Sequence, residues 1–378
     1  MTPRTPDTAW TPVAPARGGE PGGSAGAQAT RMKIDGVIGF DPSGIAASAR
    51  RLEEAGYDGA WTAETGRDPF LPLAIAAEAT ERLELATGIA VAFARNPMTL
   101  ATVANDLQQL SKGRFVLGLG SQIKPHITKR FSMPWSRPAP RMRELVTAIR
   151  AIWKTWETGT RLDFRGEFYT HTLMTPFFDP GPNPFGNPKI VLAAVGTHMA
   201  EVAGEVGDGL MAHPFTTARY VREVSLPALE RGAAKAGKTR RDLVVSLPGL
   251  VVTGSTEEEL TASAKAAKTQ LAFYGSTPSY RPVLELHGWG ELQDELHARS
   301  KRGDWDTMGE LVDDEVLQTF AVVAPPGRVA DAVLERWGGL VDRFSFSTPI
   351  PAAQMATVIA AFHDVADSAQ ARPHGENG

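Results

Sequence analysis

Acidic and basic side chains follow several apolar segments of this sequence, and some of them could move a proton. Glu64 comes directly after the segment that ends at Ala63, and Asp68 lies a turn further along. His126 follows the small-residue segment that ends at Gly120. Carboxylates and imidazoles act as general acids and bases near neutral pH. Because Asp68 stands where a helix N-cap belongs, Glu64 and His126 are the stronger candidates.

Other side chains near the ends of apolar segments could contact a substrate. Arg67 could hold an anionic group, and His213 ends a later apolar segment. Trp61 lies within the second segment, and Tyr274 belongs to the aromatic and polar stretch 273–289. That stretch is typical either of a substrate lid or of an extra packing layer. We predict that Trp61, Arg67, His213 and Tyr274 line a substrate pocket.

Glycines occur where a ligand could come close to the backbone. Gly88 interrupts the apolar run 83–93. A glycine inside a strand indicates a bulge or a close approach of the backbone to a ligand, but it could equally be needed only for packing within the barrel. Gly118 and Gly120 form a G-x-G, but isoleucine stands at 123, where a dinucleotide fingerprint needs its third glycine. A strand end of such small residues would still let a flat ring reach the backbone.

A strand-to-helix turn is predicted at Gly196 and Thr197, and it could bind an anion. The first amides of a helix have no partner within the helix, and they point at a phosphate together with the positive end of the helix dipole. Thr197 could equally serve as a simple N-cap. Both interpretations of this turn are compatible with the sequence.

These candidates fall on a repeating pattern of short apolar segments and helical stretches. Most of the apolar segments are continuous, which is typical of parallel strands buried on both faces. Eight strand–helix units with right-handed crossovers close naturally into an α/β fold of the (β/α)8 TIM-barrel type, with its site at the strand C-terminal ends. An open doubly wound sheet is the alternative. The predicted strands are 32–40, 57–63, 83–93, 114–120, 189–195, 208–213, 243–253 and 342–347.

Proline and capping residues predict where helices begin. Asp41 as N-cap predicts a helix over 42–56 that ends at Gly56. Asn96 before a proline predicts a helix over 97–110.

Composition excludes several classes of protein. The chain has 378 residues, a net charge of −4 and no cysteine. It therefore has no disulfide, Cys-ligated metal or catalytic thiol, and no general attraction to nucleic acid. No apolar run approaches the roughly 18 residues of a membrane span. Residues 1–31, rich in Pro and Gly, are predicted to be a disordered tail, 32–366 a folded domain and 367–378 a flexible tail.

Two motif matches lack the structural context that their chemistry needs. Residues 232–239 fit the P-loop pattern, but they follow a predicted helix and lead into a strand, which reverses the required order. Residues 22–26 fit G-x-S-x-G but lie in the predicted tail. The eight histidines are scattered without a metal motif, so we predict no metal site.

Four stretches, each at a predicted strand end, carry a family resemblance. In this order they make residues 32–366 similar to the luciferase-like flavin and deazaflavin oxidoreductases, and in particular to the branch that depends on coenzyme F420. The stretches are W-T-A-E-T-G-R-D-P-F at 61–70, A-T-G-I-A-V-A-F-A-R-N-P at 86–97, K-G-R-F-V-L-G-L-G-S-Q-I-K-P-H at 112–126 and A-A-V-G-T-H-M-A-E-V-A-G-E-V-G-D-G at 193–209.

The resemblance implies a TIM barrel with insertions after strands 4 and 7, usually dimeric. It implies a non-prolyl cis peptide in the third strand, at Gly88–Ile89 here, on which the deazaflavin ring would rest. It places the cofactor phosphate after strand 5. The predicted cofactor-binding residues are therefore Thr87, Gly88, Ile89, Gly120, Ser121, Val195, Gly196 and Thr197.

The sequence departs from one group of relatives at the expected acid–base positions. Related F420-dependent sugar-phosphate dehydrogenases have a His after strand 2 and a Glu after strand 4, where this chain has Glu64 and Ile123-Lys124. This departure argues against a sugar-phosphate substrate. We predict Glu64 and His126 as the catalytic groups nearest the reacting carbon.

Taken with the resemblance, these residues predict an enzyme that moves a hydride between C5 of coenzyme F420 and a small organic substrate. The expected protein is a cytoplasmic homodimer with no nucleic-acid or membrane partner. An FMN-dependent monooxygenase on the same fold is the nearest alternative. A non-catalytic cofactor-binding protein is another.

Overall fold

The computed structural model describes residues 31–41 and 43–370. The predicted tail 1–31 therefore lies outside the described residues except for its last one. The strands, in chain order, are β1 (Lys33–Val37), β2 (Gly59–Thr62), β3 (Glu84–Thr87), β4 (Ala90–Val91), β5 (Phe115–Gly120), β6 (Phe164–Arg165), β7 (Thr170–His171), β8 (Lys189–Ala194), β9 (Gly209–Ala212), β10 (Val244–Val252), β11 (Ala321–Val323) and β12 (Arg343–Phe346).

Eight of these strands form a closed parallel barrel, in the order β1, β2, β3, β5, β8, β9, β10 and β12. The cylinder closes because β12 pairs with β1 on one side and with β10 on the other. An open doubly wound sheet would leave two unpaired edges, so this closure confirms the predicted (β/α)8 barrel.

Helices surround the barrel and connect its strands. A π-helical turn, Val221–Ser225, joins the sixth helix to the seventh. The helices are α1 (Ile45–Glu54), α2 (Leu71–Ala79), α3 (Pro97–Leu110), α4 (Pro138–Thr158), α5 (Thr197–Val206), α6 (Ala218–Tyr220), α7 (Leu226–Lys235), α8 (Glu257–Gly275), α9 (Arg281–Glu285), α10 (Gly290–Arg302), α11 (Asp314–Phe320), α12 (Val329–Trp337) and α13 (Ala352–Gln370). The predicted C-terminal tail thus overlaps the last turn of α13, and 371–378 lie outside the described residues.

Capping residues explain where two of these helices begin. Asn96 accepts a hydrogen bond from the Thr99 amide at 3.0 Å, and α3 spans 97–110 as predicted. The prediction for α1 was wrong at its start. Asp41 instead accepts hydrogen bonds from Ser43 in a turn, so the helix begins at Ile45, and position 42 itself lies outside the described residues.

Insertions follow the fourth and seventh barrel strands. The first, between β5 and α4, contains a π-helical turn, His126–Arg130. The second begins after β10 and contains α8 to α11 and the unpredicted strand β11. Since β11 pairs with Leu250–Val252, beyond the part of β10 that pairs with β12, it lies outside the barrel itself. Between α4 and β8 the chain forms the short antiparallel hairpin of β6 and β7.

An ion network occupies the N-terminal end of the barrel. Arg343 of β12 donates from Nε to Asp35 Oδ2 at 2.8 Å and also pairs with Glu84 of β3. A Cβ atom on Gly59 would lie 2.5 Å from Arg343 Nη2, so the glycine makes room for the guanidinium. Burial raises the pKa of Asp35 above its usual value, although Arg343 opposes that shift. This end of the barrel is therefore held together by buried charges.

Candidate functional site

The third barrel strand contains the cis peptide bond that the resemblance implied, between Gly88 and Ile89. Backbone hydrogen bonds hold both residues against the end of β2. The Gly88 amide donates to the Thr62 carbonyl at 2.7 Å, and the Ile89 carbonyl accepts from the Glu64 amide at 3.1 Å. The segment between β3 and β4 is thus fixed at the C-terminal end of the barrel, where sites of this fold are built.

A bulge accompanies the cis bond. Three residues separate Ala86 from Ala90 along the bulged strand, whereas two separate their partners Val116 and Leu119 on β5. The extra residue re-aims the strand at this point, as bulges do next to functional sites. The bulge predicted as one interpretation of Gly88 is confirmed.

Glycines on β5 let the bulged segment approach closely. A Cβ on Gly118 would lie 1.8 Å from the Thr87 carbonyl oxygen, and one on Gly120 would lie 2.8 Å from Cδ1 of Ile89. The Thr87 hydroxyl is fully buried and bonds to the backbone of Gly118 at 2.7 and 2.9 Å. Thr87 therefore ties β3 to β5, and its side chain is not available for the direct cofactor contact that we expected.

Trp61 is placed differently from the prediction of a pocket residue. Its side chain is 7% exposed, and a Cβ on Gly88 would lie 1.7 Å from its Cε3 atom. Its indole nitrogen has no hydrogen-bond partner among the described residues. The ring packs against Gly88, so Trp61 supports the cis segment instead of lining an open pocket.

Glu64 holds the residues that follow the cis bond. Its Oε2 atom accepts from the Val91 amide at 2.7 Å and from Arg95 Nη1 at 2.6 Å. The Glu64 side chain is buried and that of Arg95 is largely so. Because both bonds end on Oε2, any proton transfer by this residue would fall to Oε1. Glu64 thus contacts the bulged segment through its backbone at Ile89 and through its carboxylate at Val91, while its catalytic role stays a prediction.

Arg95 is a site residue that sequence reasoning missed. It pairs with Asp68 at 3.3 Å as well as with Glu64, and its guanidinium lies over the Phe70 ring at 5.2 Å from the centroid. Asp68 accepts from the Phe70 and Leu71 amides just before α2, but Phe70 takes the N-cap position, so the prediction of Asp68 as the N-cap was wrong. A signal for Arg95 was present in the sequence, because Glu64 and Asp68 are two neighbouring carboxylates that a cation would stabilise.

The turn after β8 offers free amides. Gly196 takes the N-cap position with no side-chain cap, and Thr197 is the first helical residue of α5. Thr197 is therefore not the N-cap, and the first amides of α5 have no partner within the helix. Tyr220 Oη donates to the Val195 carbonyl at 3.3 Å and fixes the approach to the turn. This is the arrangement that a helix uses to bind a phosphate.

His213 and Tyr274 meet at the end of β9, as two of the predicted pocket residues. Their rings contact edge to face with centroids 4.8 Å apart. His213 Nδ1 accepts from the Phe215 amide at 3.0 Å, and its Nε2 lies 3.1 Å from Tyr280 Oη. Burial lowers the pKa of His213 to about 4. The imidazole is therefore neutral at physiological pH.

His126 and Arg67 are exposed, and the structure does not bring them into contact with Glu64. His126 begins the π-helical turn after β5, where Arg130 donates to the Thr65 carbonyl and joins this loop to the loop after β2. Ser121, half-buried at the end of β5, donates to the neighbouring Gln122 carbonyl. The assignments of His126, Arg67 and Ser121 stay predictions.

An exposed apolar residue also lies at this face of the barrel. Val37 ends β1 and is 57% exposed, and Ala193 near the end of β8 is half-buried. Sequence reasoning missed Val37, because an apolar strand residue is ordinarily assigned to the core. An exposed apolar side chain at the C-terminal face, such as that of Val37, is suited to contact with the flat ring of a ligand.

The described part of the chain shows neither a metal cluster nor a membrane-spanning helix. No cluster of three or more His, Asp or Glu side chains there could hold a metal ion. None of the helices within 31–41 and 43–370 is long and apolar enough to cross a bilayer.

The chain is thus a closed (β/α)8-barrel protein whose C-terminal face brings together a cis peptide, small residues and the N-terminus of α5. The chain belongs to the luciferase-like monooxygenase family, whose sequence profile matches residues 14–343. Members of the family are oxidoreductases or monooxygenases.

Individual relatives agree with this membership. The chain is 56% identical over 315 residues to an uncharacterized protein of Mycobacterium tuberculosis, Rv1360, covering 83% of this chain and 93% of that one. It is 29% identical over 319 residues to an F420-dependent glucose-6-phosphate dehydrogenase of Intrasporangium calvum, covering 78% and 85%. The fold matches the coenzyme F420-dependent tetrahydromethanopterin reductase of Methanopyrus kandleri with a TM-score of 0.71 at 21% identity, covering 88% of this chain and 97% of that one.

Proposed function

We propose that this protein is a coenzyme F420-dependent oxidoreductase that transfers a hydride between the deazaflavin C5 atom and a small organic substrate. The observation that carries the proposal is the bulged segment between β3 and β4, which is held against β2 and packed on the glycines of β5. It presents a narrow, rigid stretch of backbone at the catalytic face. The F420-dependent relative at 29% identity supports the choice of cofactor.

The residues present fit a flat ring that carries a phosphate. Ile89, Val37 and Ala193 would contact the ring, because each lies at or near the C-terminal end of a barrel strand and has an apolar side chain. The amides at Gly196 and Thr197 would hold the phosphate, with Val195 fixed by Tyr220. The bound deazaflavin would supply the hydride chemistry, and the barrel would orient its ring against the substrate.

Glu64 would serve this site in two ways. Through Oε2 it anchors the Val91 amide and Arg95, which keeps the cis segment in place. Through Oε1 it could exchange the proton that accompanies the hydride, a contribution worth roughly 10²–10⁴-fold in rate. His126 would share that role from the loop after β5, if this loop folds over a bound substrate.

We also propose that the protein works as a homodimer in the cytoplasm, as the resemblance implies. Leu71 and Ile75 of α2 are apolar and exposed, 70% and 41%, which supports an interface on this helix. Analytical ultracentrifugation of the wild type and of Leu71→Lys would test the assignment. A monomeric wild type would contradict it.

An FMN-dependent monooxygenase is the second candidate, and the family description itself favours it. Both cofactors combine three fused rings with a phosphate, so the geometry above would suit either. Oxygen uptake with reduced FMN separates the two, because a hydride-transferring F420 enzyme consumes no oxygen.

The deciding experiment is a titration of the purified full-length protein with reduced F420 and, separately, with FMN. Micromolar binding of F420 with weaker binding of FMN is expected. Tight FMN binding without F420 binding would reject the proposal in favour of the monooxygenase. F420 binding without turnover of any substrate would favour a cofactor-binding protein.

A further inference from the structure

We propose that Tyr280 is a hydrogen-bond donor for a carbonyl oxygen on the substrate, and that His213 positions its hydroxyl group. The proposal rests on the oxidoreductase function above, because it names a substrate class for the same site. Tyr280 belongs to the insertion after β10, directly before α9, whereas His213 follows the C-terminal end of β9. Their side chains meet at Nε2 and Oη, 3.1 Å apart.

The direction of this hydrogen bond follows from a count of donors. The Phe215 amide donates to Nδ1 of His213 at 3.0 Å, so Nδ1 carries no proton. A neutral imidazole has one N–H group, which must then be on Nε2. Nε2 therefore donates to Tyr280 Oη, and the hydroxyl oxygen is the acceptor. The proton of the Tyr280 hydroxyl is left free to be donated elsewhere.

The surroundings of Tyr280 keep its hydroxyl group protonated and hold its ring in one orientation. Burial raises the pKa of Tyr280 to about 12, so the phenol stays protonated at physiological pH. The Tyr280 ring packs on the Phe215 ring at a centroid distance of 5.9 Å with near-parallel planes. With its ring packed and its oxygen held by His213, Tyr280 has a fixed direction in which to donate.

Tyr274 differs from Tyr280 in the role of its hydroxyl. Gln270 donates from Nε2 to Tyr274 Oη at 3.2 Å and also to Ser347 Oγ at 2.8 Å, which ties α8 to the end of β12. Its ring contacts His213 edge to face. Tyr274 thus provides an aromatic wall beside the pair, which suits a carbonyl group attached to an apolar or ring-bearing carbon skeleton.

Two measurements test the hydrogen-bond relay, and the first needs no cofactor. In protein labelled with ¹⁵N-histidine, the resonances lost in His213→Gln identify His213. We expect the Nε2–H tautomer at pH 7. An Nδ1–H tautomer would overturn the proposal, because Nε2 would then accept from Tyr280 and use its proton.

The second measurement uses cyclohexanone labelled with ¹³C at the carbonyl, added to the full-length protein saturated with F420. A hydrogen bond to the oxygen moves the carbonyl resonance downfield. Tyr280→Phe should abolish this shift and weaken binding about tenfold. Tyr57→Phe removes another buried phenol, before β2 at the opposite end of the barrel, and should leave the shift unchanged. No shift in the wild type, or a full shift in Tyr280→Phe, would overturn the proposal.

Variants of His213 separate positioning from simple packing. His213→Gln keeps an N–H group near the position of Nε2 and should retain most of the carbonyl shift. His213→Leu fills the space without a donor and should lose it. Equal loss in both variants would contradict the positioning role. If F420 does not bind, the same cyclohexanone measurement is made on the protein alone; a carbonyl shift that Tyr280→Phe abolishes would then keep the Tyr280 assignment while the cofactor assignment fails.

Discussion

A Cβ atom on Gly88 would lie 1.7 Å from Cε3 of Trp61, which is far inside van der Waals contact. Trp61 is itself buried, so it has no open space into which it could move. The indole ring and the cis segment are therefore fitted to each other. This contact leads to the first prediction.

Gly88→Ala should destabilise the fold and remove cofactor binding together. Overpacking of a close contact costs about 1–3 kcal/mol or more, and any relief would displace Ile89. Thermal unfolding and an F420 titration would measure the two effects. Gly66→Ala is a matched control, because a Cβ on Gly66 would meet no atom within 4 Å. A Gly88→Ala variant as stable as Gly66→Ala would contradict the contact.

The pair of Glu64 and Arg95 should behave as one unit. Glu64→Gln removes a charge-assisted bond and should cost about 2 kcal/mol of stability. Arg95→Met leaves a buried carboxylate without its cation and should cost more. The double variant should cost less than the sum of the two, as measured by urea unfolding in a double-mutant cycle. Additive losses would show that the residues act independently.

The pH dependence of stability should carry a contribution from His213. Its pKa is about 4 in the folded protein and about 6.5 when unfolded. Between these values the unfolded chain binds the proton and the folded protein does not. The contribution of His213 to the free energy of unfolding is therefore fully present above pH 6.5. It falls by on the order of 3 kcal/mol as the pH drops to 4.

Comparison of His213→Gln with the wild type would isolate that contribution. The difference in unfolding free energy between the two proteins, measured by urea titration at pH 7 and pH 5, should shrink towards pH 5. Glutamine does not titrate, while all other groups are shared. A pH-independent difference would mean that His213 titrates alike in both states.

Arg343→Met should destabilise the barrel without a direct effect on the catalytic face. The change leaves Asp35 buried without its cation, and such losses cost about 3–5 kcal/mol. Arg328→Met, which removes an exposed arginine paired with Asp331, should cost less than about 1 kcal/mol. Chemical unfolding would measure both. F420 affinity per folded molecule should be unchanged in the Arg343 variant.

The sequence predicted the elements whose signals are local. Asn96-Pro97 fixed the start of α3, and the eight barrel strands were apolar enough to recognise. Strand β11 has three residues, too few to show a period, and its place is decided by pairing with β10. β10 continues through Pro248, although proline cannot donate a hydrogen bond to a neighbouring strand.

The backbone features of the candidate site were easier to predict from the sequence than the contacts between its side chains. Gly88–Ile89 and the turn at Gly196 came from motifs that remain contiguous in sequence. The pairing of Arg95 with Glu64 and of Tyr280 with His213 joins residues that are distant in sequence. Trp61 and Thr87 stay predictions as site residues, and their burial depends on contacts with Gly88 and Gly118 that the sequence does not show.

Because β12 pairs with β1 on one side and with β10 on the other, the barrel cannot close during synthesis until β12 has been made. Arg343 of that strand contacts Asp35 across 308 residues of sequence, and β1 and β10 each lack one of their two barrel neighbours until β12 is made. During synthesis, seven barrel strands leave the ribosome before the eighth. Nascent chains shorter than about 343 residues hold two open sheet edges, which are sites for aggregation. The barrel therefore closes only after β12 has left the ribosome, and until then its open edges are the part of the fold that chaperones would have to cover.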